Sequence, residues 1–179
     1  MTSSTRRLRY QVAASLDGYI AGPNGEADWI VMDPELDFTA LFAQFDTVLI
    51  GRRTFDAIGG KGGGGGIGMA TYLVSRTFDR KPPKGVTVIR DRVAETVAEL
   101  KAKPGKDIWL FGGGDLFRSL AELGLVDTVE VALMPVLLGG GIPLRPAPAP
   151  RLTMTLTSHR VYPTTGTVML EYSLRSSSA

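Results

Sequence analysis

The sequence contains no cysteine. That removes disulfides, thiol nucleophiles, thiolate zinc sites and cysteine-held iron–sulfur clusters together. It contains one histidine, His159. Histidine-clustered metal sites are therefore excluded, and a Ser/His hydrolase would have to use that residue. A lone histidine is expected to be a surface or hydrogen-bonded residue, and no metal is expected. No apolar run approaches the ~20 residues of a membrane-crossing helix. Met1 to Gln11 is polar and basic with no apolar signal core, so a cytoplasmic protein is expected. Neither apolar residues, at 44%, nor charged ones, at 21%, are scarce among the 179 residues. That balance suits a folded domain with a real core. The expectation is one domain over 1–179, flexible over 1–8 and 176–179.

The charge is unevenly spread. Residues 1–50 carry three bases and seven acids, and residues 51–106 carry twelve bases and five acids. Residues 107–179 carry five bases and six acids. A basic middle third suits an anionic ligand, or simply a solvated basic face. Its bases are scattered through turn-rich sequence, without the stripe or helix pattern of a nucleic-acid binder.

Apolar stretches and turn residues mark out the elements. Strands are expected at Tyr10–Ala14, Thr47–Ile50, Thr71–Ser75, Val86–Arg90, Ile108–Phe111 and Val129–Leu133. Leu152–Thr157 and Thr167–Leu174 suit a closing antiparallel pair. A helix is expected after Pro34, with Leu36, Phe38, Leu41, Phe42 and Phe45 on one face. Further helices are expected at Thr54–Ile58, around Val93, Val97 and Leu100, and around Leu116, Leu120 and Leu123. Gly59 to Gly68 holds eight glycines in ten residues, too costly to order as a regular element, so a loop is expected. Strands alternating with short helices indicate an α/β fold on a mostly parallel sheet.

Three strand ends carry possible chemistry. Ile108–Phe111 runs into Gly112-Gly113-Gly114-Asp115-Leu116. Glycines there let backbone N–H groups approach a phosphate, and the helix N-terminus adds a favourable dipole. A tight strand-to-helix turn with no ligand would read the same way. Val48–Ile50 runs into Gly51-Arg52-Arg53-Thr54, where guanidinium forks and a hydroxyl suit phosphate oxygens. Tyr72–Val74 ends in Ser75-Arg76. Together they suggest one ligand lying across the strands' carboxyl ends. The contiguous glycines do not make the dinucleotide fingerprint G-x-G-x-x-G.

These residues, in this order, resemble the dihydrofolate reductase-like superfamily. Val12 to Gly22 is similar to its first strand and the loop beside the nicotinamide, so Ala14, Ile20 and Gly22 would border the cofactor. Trp29 follows at the spacing of that loop's tryptophan. Leu137 to Leu144, with its triple glycine, is similar to the reductase half of bifunctional riboflavin-biosynthesis deaminase-reductases and their stand-alone relatives. The resemblance implies a three-layer α/β/α fold with a C-terminal antiparallel strand pair. It implies NADPH as cofactor and hydride transfer to a small heterocyclic or sugar-like substrate. Gly51, Arg52, Arg53 and Thr54 would grip phosphate, Ser75 and Arg76 the 2′-phosphate, and Gly112, Gly113, Gly114, Asp115 and Leu116 the pyrophosphate.

A homodimer is implied by the resemblance alone. A zinc deaminase half is excluded, because its P-C-x-x-C site needs cysteine. By register with Gly51, Glu35 would be the catalytic acid, whereas register with Trp29 puts Pro34 there, so the choice among Asp33, Glu35 and Asp37 stays open; Asp33 and Trp29 would contact substrate. Asp33, Glu35 and Asp37 equally suit a helix N-terminus. Ala132 replaces the threonine usual beside the acid of folate reductases, and Gly62 to Gly66 offers no arginine for a folate tail. Dihydrofolate reduction, or nucleotide binding without turnover, are therefore the lesser alternatives.

Overall fold

A computed structural model describes residues 5–60 and 68–174. The interior of the glycine loop expected at Gly59 to Gly68 lies outside the described residues, as do 176–179. In chain order the elements are β1 (Leu8–Ser15), β2 (Tyr19–Ala21), α1 (Phe38–Phe42), β3 (Phe45–Gly51) and α2 (Arg52–Ala57). There follow β4 (Ala70–Val74), β5 (Val86–Ile89), α3 (Val93–Ala102), β6 (Asp107–Gly112) and α4 (Gly114–Glu122). The chain closes with β7 (Thr128–Met134), β8 (Ile142–Pro143), β9 (Met154–Tyr162) and β10 (Thr167–Leu174).

The main sheet has the order β5-β4-β3-β6-β1-β7-β10-β9. Its strands from β5 to β7 are parallel, and β10 and β9 join antiparallel. Short β2 and β8 pair separately. Strict alternation on the strands divides the core into two layers. On one face Leu8, Tyr10, Leu49 and Leu110 pack with Val97 and Leu100 of α3 and Phe117 and Leu120 of α4. On the other face Val48, Ile50 and Trp109 pack with Phe55 of α2, and Phe42 of α1 joins them. The architecture is thus the expected three-layer α/β/α. Tyr10 stacks on Phe117 at 4.1 Å between ring centroids. Burial pushes the Tyr10 hydroxyl pKa up, because no nearby charge offsets the loss of water.

Three expectations need correction. The first helix is shorter than its apolar pattern suggests. Asp37 caps it by accepting from the Ala40 N–H at 2.9 Å, and Phe45 already belongs to β3. The N-terminal arm is held from Arg6 rather than loose to residue 8. The Arg6 guanidinium is buried, ion-paired with Asp46 and bonded to Thr47 Oγ1 at 2.7 Å, and Leu8 is fully buried in β1. The third concerns β9, which runs on through His159 to Tyr162. It is an edge strand, exposed along most of its length, so no buried face marked its extent in the sequence.

Candidate active site

The parallel strands deliver their carboxyl ends to one side of the sheet, where a cavity of about 1140 Å³ opens. That volume exceeds what a single small ligand needs. One end is lined by Gly51, Arg52, Arg53 and Thr54 from the β3–α2 junction and by Gly112 to Leu116 from the β6–α4 junction. The other end is apolar. Ile30, Val31, Met32 and Leu36 come from the connection after β2, and Phe38, Leu41 and Phe42 from α1. Trp109, Phe111, Ala132, Met134 and Met169 complete that end from the sheet.

The glycine end has the geometry of a backbone cradle. Gly113 caps α4 in extended conformation, and no side chain caps that terminus. The first N–H groups of α4 are left for a ligand or water. The Gly112–Gly113 peptide is cis, and Gly112 has a φ of +137° that favours glycine. A Cβ on Gly113 would lie 3.1 Å from Thr54 Oγ1, so the two junctions close on each other there. Gly114 has a different task. A Cβ there would run into the Pro143 carbonyl, so its bareness lets α4 pack on the end of β8 and the residues after it.

The arginines beside this cradle differ in freedom. Arg52 Nε binds Asp56 at 2.6 Å and Arg52 Nη1 the Thr77 carbonyl at 3.1 Å. The hydrogen bond from Arg52, then the charges of Arg52 and Arg80, hold the Asp56 carboxyl below its ordinary pKa. Arg53 is 91% exposed, and among the described residues it pairs with Asp115 at 3.7 Å.

The remaining site expectations divide. Ile20 lines the cavity, but Ala14 is buried in the core, and its neighbour Ala13 faces the cavity instead. Gly22 is buried in the Gly22–Glu26 turn, and Ala21 takes its place on the wall. Ser75 and Arg76 follow β4 just beyond the cavity wall, which ends at Val74. Trp29 donates to the Glu26 carbonyl at 3.1 Å and does not line the cavity.

The expected acid positions also move. Asp33 is 2% exposed and accepts from Thr165 Oγ1 at 2.8 Å and the Glu35 N–H at 2.9 Å. It pins the segment before α1 to the β9–β10 turn rather than facing the cavity. Glu35 points outward to Arg160, at 3.0 Å, so the structure does not support it as the cavity acid. Among the described residues lining the cavity, the only carboxylate is Asp115, at the cradle end. Gln11, Trp109 and Phe42 line the apolar end and were not singled out for it by sequence. A polar residue inside apolar β1 was the available signal for Gln11.

Residues 6–61 and 68–168 match the RibD C-terminal domain family. The chain belongs to that family. Within reach of it, YyaP of Bacillus subtilis (strain 168), an uncharacterized protein, is 36% identical, over 93% of this chain and 94% of its own. Among solved structures, a protein of Shewanella sp. PV-4 whose name links it to riboflavin biosynthesis superposes with a TM-score of 0.80 at 25% identity. It covers 95% of this chain and 99% of its own. Dihydrofolate reductase from Enterococcus faecalis, solved with NADP(H), superposes at a TM-score of 0.70 over 95% of this chain and 97% of its own, at 19% identity. The dihydrofolate reductase-like fold and the RibD-type branch expected from the motifs are both met. The RibD C-terminal family is of reductase type, so membership supports an oxidoreductase.

Proposed function

We propose that this RibD C-terminal domain is an NADPH-dependent oxidoreductase that delivers hydride to a small heterocyclic or ribosyl/ribityl substrate. The reaction is of the 5-amino-6-(5-phosphoribosylamino)uracil reductase type, or a relative of it with another substrate. One observation carries the reading: two strand–glycine–helix junctions, β3–α2 and β6–α4, form adjoining walls of one cavity. The RibD membership and the NADP(H)-bound neighbour support it.

The residues present fit a dinucleotide. Gly112, Gly113 and Gly114, with the uncapped start of α4 at Asp115 and Leu116, would hold a pyrophosphate through backbone N–H groups. Arg52, Arg53 and Thr54 would serve the phosphates, with Ser75 and Arg76 for a 2′-phosphate. NADPH, when bound, supplies the hydride. The apolar end then excludes water from the acceptor's face and orients its ring. No carboxylate lines that end among the described residues, so the reading assigns the acceptor's proton to none of these side chains. Dihydrofolate suits the site less well, because Ala132 lines it without a hydroxyl and Glu35 faces away.

Gly113→Val tests the reading. Its side chain would crowd Thr54 Oγ1 and enter the cradle. The variant should keep its circular dichroism spectrum and lose NADPH binding. A folded variant that binds NADPH normally contradicts the assignment.

A further inference from the structure

The carboxylate of the cradle belongs to the very turn whose N–H groups would hold phosphate. Asp115 stands in the first turn of α4, lines the cavity and is 61% exposed, so a ligand there can reach it. A carboxylate at that position favours the helix, because its charge meets the positive end of the dipole. The same charge works against an anion bound at the same N–H groups.

Asp115 also occupies two cations. Its Oδ2 lies 3.7 Å from Arg53 Nη1, so the pair spans the gap between the β3–α2 and β6–α4 junctions. Its Oδ1 lies 3.5 Å from Arg118 Nη2, one turn further along α4. Both separations exceed the usual hydrogen-bond length, so charge attraction is what holds these pairs. Among the described residues neither arginine pairs with another carboxylate. Arg52, by contrast, is hydrogen-bonded to Asp56 and to the Thr77 carbonyl. Arg53 is therefore the exchangeable cation of the β3–α2 junction, and its present partner is Asp115. A pair this exposed is held weakly, and a phosphate carrying more charge can take the guanidinium over.

We infer that Asp115 competes with the cofactor's phosphates for Arg53, and so limits how tightly the dinucleotide is held and hastens its release. This rests on the reductase reading above and adds a residue that regulates the same site. A bound dinucleotide draws Arg53 to its phosphate, while Asp115 keeps Arg118. The Asp115 charge then stays beside the pyrophosphate and weakens the complex. Asp115 is a positioning residue, acting through Arg53 and away from the reacting atoms. It stabilises α4 at the expense of affinity. A reductase must let go of its oxidised cofactor in every cycle, so a weaker hold favours turnover.

The test is calorimetric titration of the full chain with NADP⁺, with stopped-flow measurement of its release. Asp115→Asn removes the charge and keeps the shape. At low salt it should bind NADP⁺ about 3–10-fold more tightly than wild type, through slower release. The gain should shrink in about 0.5 M NaCl, where exposed charges are screened. The same variant should melt about 1–3 °C lower, because α4 loses a favourable charge. A merely structural role would not raise affinity while lowering stability. Arg53→Ala should cost the Asp115→Asn variant several-fold more affinity than it costs wild type, because only there is Arg53 uncontested. Asp115→Ser serves if the asparagine variant does not fold. Affinity that is unchanged or weaker without the Asp115 charge overturns the inference, as does an equal cost of Arg53→Ala in the two backgrounds. If wild type does not bind NADP⁺, the reductase reading fails and the inference with it.

Discussion

Arg160 Nη2 lies 3.0 Å from Glu35 Oε2, and both side chains are more than half exposed. The pair ties the segment before α1 to edge strand β9, outside the cavity. An exposed ion pair contributes about 0–1 kcal/mol. Glu35→Gln should therefore keep NADPH affinity and turnover within about 2-fold of the parent and leave stability almost unchanged. Steady-state kinetics and urea denaturation check this. A rate loss of ~100-fold or more would return Glu35 to the catalytic role its spacing suggested.

Arg9 is the more consequential cation. It neutralises Glu130 in the sheet interior, and the two side chains are 7% and 5% exposed. Arg9→Met would leave a buried carboxylate without its partner. The expected loss is about 3–5 kcal/mol in urea denaturation. The double variant Arg9→Met/Glu130→Gln should recover part of it, since the stranded charge is then gone.

Asp17 gives the fold a specific acid sensitivity. It accepts from Ser15 Oγ at 2.6 Å and from the Leu138 and Gly139 N–H groups at 3.1 and 2.7 Å. The Ser15 bond first, then those backbone bonds, hold its pKa below the ordinary value. A depressed folded-state pKa stabilises above the unfolded value, near 3.9, and that stabilisation is lost as pH falls through the folded one. Asp17→Ala should lower Tm at pH 7, and the gap to wild type should close below about pH 4. A gap that is constant with pH would mean the carboxylate charge does not act there.

The loop after β7 also depends on one close approach. A Cβ on Gly141 would lie 2.2 Å from the Ala21 carbonyl, at a φ of +146°, whereas one on Gly140 meets nothing within 4 Å. Gly141→Ala should cost roughly 1–3 kcal/mol and separate β2 from β8, while Gly140→Ala stays within about 0.5 kcal/mol. Urea denaturation of the two variants side by side is the check.

The parts legible in sequence were those written locally. A glycine between an apolar strand and an amphipathic helix marks a junction within a few residues, so Gly51–Thr54 and Gly112–Leu116 could be read as strand ends, and the structure brings both to one cavity. Parity was less secure. Ala13 and Ala14 are indistinguishable by composition, and only pairing with β7 decides which faces the cavity. Of the acids before α1, Asp37 suited the helix start it caps, but the directions of Asp33 and Glu35 were not legible. Asp33 and Glu35 take their directions from Thr165 and Arg160, more than 120 residues away in the chain. Gln11 was hidden for the same reason, because its orientation comes from Glu130 and Arg9 across the sheet.

The central claim is that the strand-end cradle and the basic residues beside it hold NADPH. Calorimetry with NADPH and NADH on the full chain tests it most directly. Arg76 is exposed just beyond the end of β4, where the proposal has it meet a 2′-phosphate. A charge-assisted bond contributes roughly 1.5–3 kcal/mol, so NADPH should bind at least ~10-fold more tightly than NADH. The gap should narrow in Arg76→Ala. Equal affinity for the two dinucleotides, or binding of neither, would contradict the account.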